Sequence, residues 1–272
     1  MKHKIVAISI LSLVLALILA GCAQPAKIAD LKACSSISYP PFEYYVGSDA
    51  VGFDVDLWNE IGKRMNTKTS MDNIPWDGLI PALLGNKCNA IISMMGETPE
   101  RAKQVDFSAP YFNSAFSLAV QAKSGIQGLG DLKGKKMGVQ TGVTSEQWAR
   151  AEASNLGFAE IIPYDEAPDQ ILDLQSGRLD VIVQDTPYLL YQLKDKPELC
   201  VLPMRVGQAY QAKIVFRPND DQLREQVNKV LAEIIKDGTW AKIYQKWFGV
   251  APSAEDIPSS VGTIQQYPTP KP

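Results

Sequence analysis

Apolar and polar positions divide this chain into a leader and two repeated units. Met1-Lys2-His3-Lys4 precedes a largely apolar run from Ile5 to Ala20, interrupted by Ser9 and Ser12, which is short for a membrane span of about 20 residues. A basic start, a short apolar stretch and small residues at its end predict an export signal over residues 1–21. No later stretch approaches the roughly 18 consecutive apolar residues of a spanning helix. A tether over 22–30 then leads to Leu31–Ser38, which reads as a strand. Tyr39-Pro40-Pro41-Phe42-Glu43 ends it, because proline donates no hydrogen bond to a ladder.

Val55, Leu57, Trp58, Ile61 and Met65 follow at helical spacing, which predicts a helix capped by Asp54 with Asp56 in its first turn. A second helix is expected from about Trp76 to Leu84, stopped at Gly85. Ala90-Ile91-Ile92-Ser93-Met94 is then continuously apolar, as in a parallel strand covered on both faces. The same order returns later, with a helical Ile171–Gln175, Gly177 as a stop, and Leu179-Asp180-Val181-Ile182-Val183 as a buried strand. Two similar α/β units predict two similar lobes. Between them a strand is expected at Met137, with a strand–helix junction at Gly142. Leu223, Val227, Val230, Leu231, Ile234 and Ile235 form one helical face, which Trp240, Ile243, Tyr244 and Trp247 continue past Gly238. Residues 251–272, rich in proline, serine and threonine, predict a loose tail.

Residue chemistry narrows the possible functions. Leu19-Ala20-Gly21-Cys22 has the form of a lipobox, where a signal peptidase cleaves and Cys22 receives acyl chains such as palmitate. The alternative is a free cysteine at the end of a membrane helix. Acyl burial would anchor the mature chain extracytoplasmically, in the periplasm or on the outer face of the cell membrane. Cleavage removes Lys2, Lys4 and the single histidine, so 25 basic and 30 acidic residues remain and the net charge is −5. That balance leaves no footprint for nucleic acid. Without histidine, Ser-His-Asp and Cys-His catalysis and most catalytic zinc sites are excluded. Cys34, Cys88 and Cys200 are too widely spaced for a metal knuckle and read as small core residues, so no metal or cofactor is expected. In an oxidising exterior one pair is open to bridging, and the spacing does not say which.

In open α/β lobes, ligands sit beyond the carboxyl ends of the strands, and three segments there carry charge or hydroxyls. In Thr98-Pro99-Glu100-Arg101, Thr98 caps a helix and Pro99 takes its first position, so Arg101 opposes the helix dipole. Its guanidinium is either a bidentate carboxylate site or half of a surface ion pair with Glu97 or Glu100. Asp185 follows a buried strand and precedes Thr186-Pro187, where it either accepts from a cationic amine or caps the next helix. Gly142-Val143-Thr144-Ser145-Glu146 feeds another helix, so Thr144 either offers its hydroxyl to an anion or belongs to a capping box. Tyr39, Phe42 and Trp76 lie on loops at the same level, suited to an apolar ligand part and equally to the core.

A family resemblance joins these segments. Gly52-Phe53-Asp54-Val55-Asp56-Leu57, Trp76-Asp77-Gly78-Leu79-Ile80-Pro81-Ala82-Leu83, Thr98-Pro99-Glu100-Arg101, Val105-Asp106-Phe107-Ser108, Asp131-Leu132-Lys133-Gly134-Lys135 and Asp237-Gly238-Thr239 span most of 31–249. The combination resembles the extracellular solute-binding proteins of family 3, the polar amino-acid type. That resemblance implies an α/β, two-lobed periplasmic-binding-protein fold of type II, with two crossover strands as its hinge. One lobe takes 31–115 and 212–250, the other 116–211. It also implies a monomer that captures an amino acid by lobe closure and delivers it to an ABC transporter permease. In this arrangement Arg101 clamps the α-carboxylate, Asp185 receives the α-ammonium and Thr144 adds a bond to the carboxylate. Tyr39 and Trp76 flank the side chain, and Met95 and Gly96 contribute from the strand end.

Two departures qualify the resemblance. Gly96 stands where relatives carry serine or threonine, so a hydroxyl contact is lost while the backbone NH remains; Glu97 replaces an apolar neighbour. Val143 stands where threonine commonly follows the glycine, and Ser36 stands where binders of basic amino acids carry an acid, so a lysine or arginine ligand is not supported. The rival functions are a sensor and a periplasmic dehydratase of the cyclohexadienyl type. The dehydratase would need a pocket acid such as Glu97 with a pKa raised by burial.

Overall fold

The computed structural model describes residues 30–258. The expected signal, Cys22, most of the tether and the tail beyond residue 258 lie outside the described residues. In chain order the elements are β1 (Asp30–Ser35), β2 (Tyr44–Val46), β3 (Asp49–Val51), α1 (Phe53–Arg64), β4 (Lys68–Asn73), α2 (Leu79–Leu84), β5 (Ala90–Ile91), α3 (Pro99–Ala102) and β6 (Asp106–Gln121). They continue with β7 (Lys136–Gln140), α4 (Thr144–Ala151), α5 (Ala153–Leu156), β8 (Glu160–Tyr164), α6 (Ala167–Gln175), β9 (Val181–Asp185), α7 (Thr186–Leu193), β10 (Leu199–Phe216), α8 (Asp221–Lys236) and α9 (Thr239–Phe248).

The two apolar runs become buried strands, as their composition requires. All five residues of β9 are buried, and so are both residues of β5. Eight strands join in the order β4-β1-β5-β10-β6-β9-β7-β8. Pairing is parallel within β4-β1-β5 and within β9-β7-β8, and antiparallel where β10 and β6 run between the two groups. β6 and β10 are 16 and 18 residues long, and each serves both groups. Tyr210 pairs with Ser114 where they cross, and the register slips between Val206 and Tyr210 and again beyond Ala212. Bulges of this kind twist and bend a strand, so bending is concentrated at the crossing.

The core follows this division. Around the first group, Leu31, Phe53, Trp58, Phe112, Phe216, Val227 and Trp240 bury one face against α1, α8 and α9, while Leu79, Leu83, Ile91 and Val215 bury the other under α2. Around the second, Leu118, Met137, Val139 and Val183 pack on the α4 side. Ile171, Leu174, Ile182 and Leu189 pack under α6 and α7. Burying a large apolar side chain contributes roughly 1.5–3 kcal/mol, so each group holds its own core.

Three features differ from the sequence expectations. Cys34 and Cys88 are bridged, because parallel pairing of β1 with β5 brings residues 54 apart in sequence to a Cα separation of 5.7 Å. Cys200 is free and half-buried. Asp54 does not cap α1: the cap position is Gly52, and the first helical NH groups, of Phe53 and Asp54, donate to the carbonyls of Pro41 and Phe42, each at 2.9 Å. Residues 251–258, expected as the start of a loose tail, turn back over β6, where Asn113 Nδ2 donates to the Glu255 carbonyl at 2.8 Å.

Candidate functional site

The loop after β1 is fixed by the start of α1, and this aims Tyr39. Gly52 has φ +139°, and a Cβ there would stand 1.9 Å from the Phe42 carbonyl oxygen, so only glycine lets the loop close on the helix. Tyr39 NH donates to the Glu43 carbonyl at 2.7 Å and completes the loop. Its ring then reaches the other lobe and stacks on Tyr188, with centroids 4.1 Å apart and planes within 4°. Its hydroxyl donates to Asp185 Oδ2 at 2.8 Å, with Gln184 Oε1 as the alternative acceptor at 2.9 Å.

Arg101 is held as its segment foretells: Thr98 Oγ1 accepts from Arg101 NH at 3.2 Å and Pro99 opens the helix. The guanidinium is buried and spans the cleft. Nη1 donates to the Gly96 carbonyl at 2.6 Å, and Nη2 to the Gly142 carbonyl of the opposite lobe at 2.8 Å. The Trp76 ring covers it with its centroid 5.3 Å from Cζ. None of the ion pairs among the described residues includes Arg101, so the surface-pair alternative does not apply. Glu97 is instead paired with Lys213 Nζ at 2.5 Å. Desolvation lowers the Arg101 pKa, against the smaller upward pulls of Tyr210 and Glu100.

Asp185 ends β9 in the helix-cap position of α7, yet its side chain makes no cap bond. Oδ1 accepts from Ser114 Oγ, and Oδ2 from the hydroxyls of Tyr39 and, at 3.0 Å, Tyr210. Burial pushes its pKa up to about 6, against the pull of these three hydroxyls. Thr144 opens α4, half-buried at the cleft wall. The capping box is not formed: Glu146 Oε2 accepts from the NH of Gly142, one residue before the cap, at 2.7 Å, and Val143 at the cap has no hydroxyl.

These side chains line one cavity of about 40 Å³ between the lobes, together with Ser36, Gln140, Phe116, Gln184 and Tyr210. Of the residues singled out from sequence, Tyr39, Trp76, Gly96, Arg101, Thr144 and Asp185 border it. Met95 does not: its side chain packs in the core with Cys34, Leu79 and Val215, and its carbonyl accepts from Lys213 NH at 3.0 Å. Met94 has φ +48°, which turns the strand end so that Met94 and Gly96 face the cleft and Met95 faces inward. Phe42 is wholly buried in an aromatic cluster with Phe53 and Phe112. Tyr210 and Ser114 escaped the sequence reading because they lie on the long crossing strands and carry no cap or turn signal. A clue lay in Gly96, because Tyr210 Cδ2 stands only 2.8 Å from where its Cβ would be.

The model of the bacterial extracellular solute-binding proteins, family 3, matches residues 31–250. The chain belongs to this family. Among curated family 3 relatives, the putative ABC transporter arginine-binding protein 2 of Escherichia coli (strain K12) is 35% identical over 241 residues, covering 86% of this chain and 97% of its own. An ancestral arginine-binding protein solved bound to arginine is 36% identical with a TM-score of 0.77, covering 82% of this chain and 100% of its own. An ancestral arginine-binding protein solved bound to glutamine is likewise 36% identical, with a TM-score of 0.75 and coverage of 82% and 99%. The family 3 fold, two α/β lobes joined by crossing strands, is the one described above.

Proposed function

We propose that this chain is the substrate-binding component of an ABC importer, closing on a single α-amino acid that it passes to a membrane permease. Arg101 takes the α-carboxylate, assisted by Thr144, and Asp185 takes the α-ammonium. The observation that carries this reading is Arg101 itself, a buried guanidinium bonded to one backbone carbonyl from each lobe and to no carboxylate. A buried charge without its counter-ion is costly, and a ligand carboxylate supplies that counter-ion only when both lobes are in place. Gly96 replaces the hydroxyl of relatives with Tyr210, whose own hydroxyl holds Asp185.

The ligand side chain lies between Tyr39 and Trp76, towards Ser36, Gln140 and Gln184, which offer neutral hydrogen-bonding groups. The acids nearby are engaged, since Glu166 accepts from Ser38 Oγ at 2.7 Å and Glu43 accepts from Ser93 Oγ at 2.7 Å. A neutral polar side chain, such as that of glutamine, suits these walls. Arginine is the second reading, favoured by the relatives named for it and by Glu166 at the rim. Calorimetry with L-glutamine, L-arginine and L-histidine tests both: tightest binding of glutamine supports the first, and failure of all three to bind refutes the amino-acid site.

The binding role is favoured over a dehydratase because Glu97, the candidate acid, has a 43% exposed side chain paired with Lys213. The chain acts as a monomer anchored by acyl chains on Cys22. Cys22→Ser is expected to release it from membranes with ligand affinity unchanged; an unmodified Cys22 in membrane-bound protein would refute the anchor.

A further inference from the structure

Two buried acids at the cleft floor are not used by the binding chemistry: Glu43, which lines the cleft, and Asp54, which lies behind it. Glu43 and Asp54 are 1% and 0% exposed, and neither takes part in any ion pair among the described residues. Each has one oxygen satisfied: Ser93 Oγ donates to Glu43 Oε1 at 2.7 Å, while Tyr111 OH and Met94 NH donate to Asp54 Oδ2 at 2.7 and 3.1 Å. The other two oxygens, Glu43 Oε2 and Asp54 Oδ1, are buried without a donor, and the bonds to the adjacent residues Ser93 and Met94 bring the two carboxyl groups together at the strand end. Two carboxylates brought together, each with an orphaned buried oxygen, are strongly disfavoured. One proton between them satisfies both oxygens and halves the buried charge.

We propose that Glu43 and Asp54 share one proton across these facing oxygens, and that the bridged pair positions the strand-end segment Ser93–Gly96 under the ligand. The inference rests on the cleft being the ligand site, and the route from pair to ligand is short. Ser93 Oγ, bonded to Glu43, accepts from Ser36 NH at 3.1 Å. Tyr111 OH and Asp54 Oδ2 together accept the NH of Met94, at 2.9 and 3.1 Å; its positive φ is costly for a non-glycine residue, and its carbonyl is the alternative acceptor, at 3.3 Å, for the Tyr210 hydroxyl bonded to Asp185. Two residues on, the Gly96 carbonyl accepts from Arg101. Asp54 is a positioning residue that touches the segment fixing Arg101; Glu43 holds the same segment through Ser93, and its side chain also lines the cleft floor.

The ionisable groups facing the pair agree with a retained proton. Tyr111 on β6 is neutral, its pKa raised by burial, and Asp185 on β9 repels charge on Glu43. Burial raises Asp54 to about 7 and raises Glu43 well above its ordinary value, so the pair retains a proton near neutral pH. The folded chain then holds a proton that the unfolded chain releases above glutamic acid's ordinary value of about 4.3. The pair's contribution to stability is therefore full below that value and declines as pH rises towards the pair's own titration. Through that window the unfolding constant rises about tenfold per pH unit for each proton.

The test uses the full chain with Glu43→Gln, whose amide keeps a donor for Asp54 but cannot titrate, and Glu43→Leu, which has no donor. An infrared difference spectrum, parent minus Glu43→Gln at about pH 8, above the raised values of Asp54 and Asp185, is expected to show a protonated-carboxyl stretch. Urea unfolding from about pH 7.5 to 9 should release one proton more in the parent than in Glu43→Gln. With whichever of L-glutamine, L-arginine or L-histidine the parent binds, Glu43→Leu is expected to lose about tenfold in affinity, and Glu43→Gln to recover most of it. No carboxyl band and equal pH slopes would overturn the shared proton. Undiminished affinity in a folded Glu43→Leu would overturn the positioning role. If the parent binds none of the three amino acids, the proposed function fails while the spectrum and the unfolding slopes still judge the pair.

Discussion

Gly96 is the position where a single methyl group reports most on the cleft. A Cβ placed there comes within 2.8 Å of Tyr210 Cδ2 and 3.3 Å of Cε2, which are ring atoms rather than the end of a flexible chain. The ring has little room to yield, since it stacks on Phe116 with centroids 5.2 Å apart, and its hydroxyl is tied to Asp185 and the Met94 carbonyl. Gly96→Ala therefore displaces Tyr210 and removes one of three hydroxyls on Asp185. Overpacking costs about 1–3 kcal/mol, and a lost hydrogen bond to a charged group about 1.5–3 kcal/mol. The overpacking falls on stability, and the lost hydrogen bond sets an affinity loss of roughly tenfold to a hundredfold, because about 1.4 kcal/mol is a factor of ten. In a Tyr210→Ala background the clash is gone, so Gly96→Ala should cost little further, and calorimetry on the four proteins of this cycle measures the coupling. Additive losses would show that Gly96 acts other than through Tyr210 and would refute the reasoning.

Other predictions concern charge and covalent structure. Because Asp185 is raised to about 6, amino-acid affinity should fall below that pH, approaching tenfold per unit as the carboxylate is protonated. Its effect on the ligand-free protein has the opposite sign, since a raised acid contributes stability at low pH that is lost as pH rises from about 3.9 to its folded value. Calorimetry and urea titrations over the same pH range check the two trends, and parallel trends would refute the assignment. Replacing Cys34 and Cys88 together by alanine opens a loop of sequence separation 54 and should lower unfolding free energy by about 2–4 kcal/mol, read by denaturant melts. Small-angle scattering should show a more compact particle with saturating amino acid in the parent and no change in Arg101→Ala.

Much of the fold was legible in local pattern. The runs at Ala90 and Val181 are buried strands, the face from Leu223 onwards is α8, and the junction at Gly142 opens α4. What escaped was set by tertiary pairing. β4, with the sequence Lys-Thr-Ser-Met-Asp-Asn, has no apolar alternation and exists because it pairs in parallel with β1. The full lengths of β6 and β10 are invisible to a local window, since each changes its neighbours half-way along. The same non-local pairing joins Cys34 to Cys88.

The site shows the same division. Arg101, Thr144 and Asp185 line the cleft at helix starts, where helix-start grammar locates strand ends. Met95, expected at the site from the resemblance, packs in the core between Met94 and Gly96, which line the cleft. Asp54 read as a helix cap because its position fits one. In the structure, carbonyls of the preceding loop do that work and free Asp54 for the buried pair.

The central claim is that Arg101 and Asp185 grip opposite ends of one amino acid. The direct measurement is calorimetry of the parent, Arg101→Ala and Asp185→Asn, each titrated with the bound amino acid, its carboxyl-amide and its deaminated acid. Truncating a buried charge partner costs about 2–5 kcal/mol, so each variant should lose at least about thirtyfold for the intact amino acid. Arg101→Ala should lose much less for the amide, and Asp185→Asn much less for the deaminated acid. A folded Arg101→Ala that binds the amino acid as tightly as the parent would contradict the account.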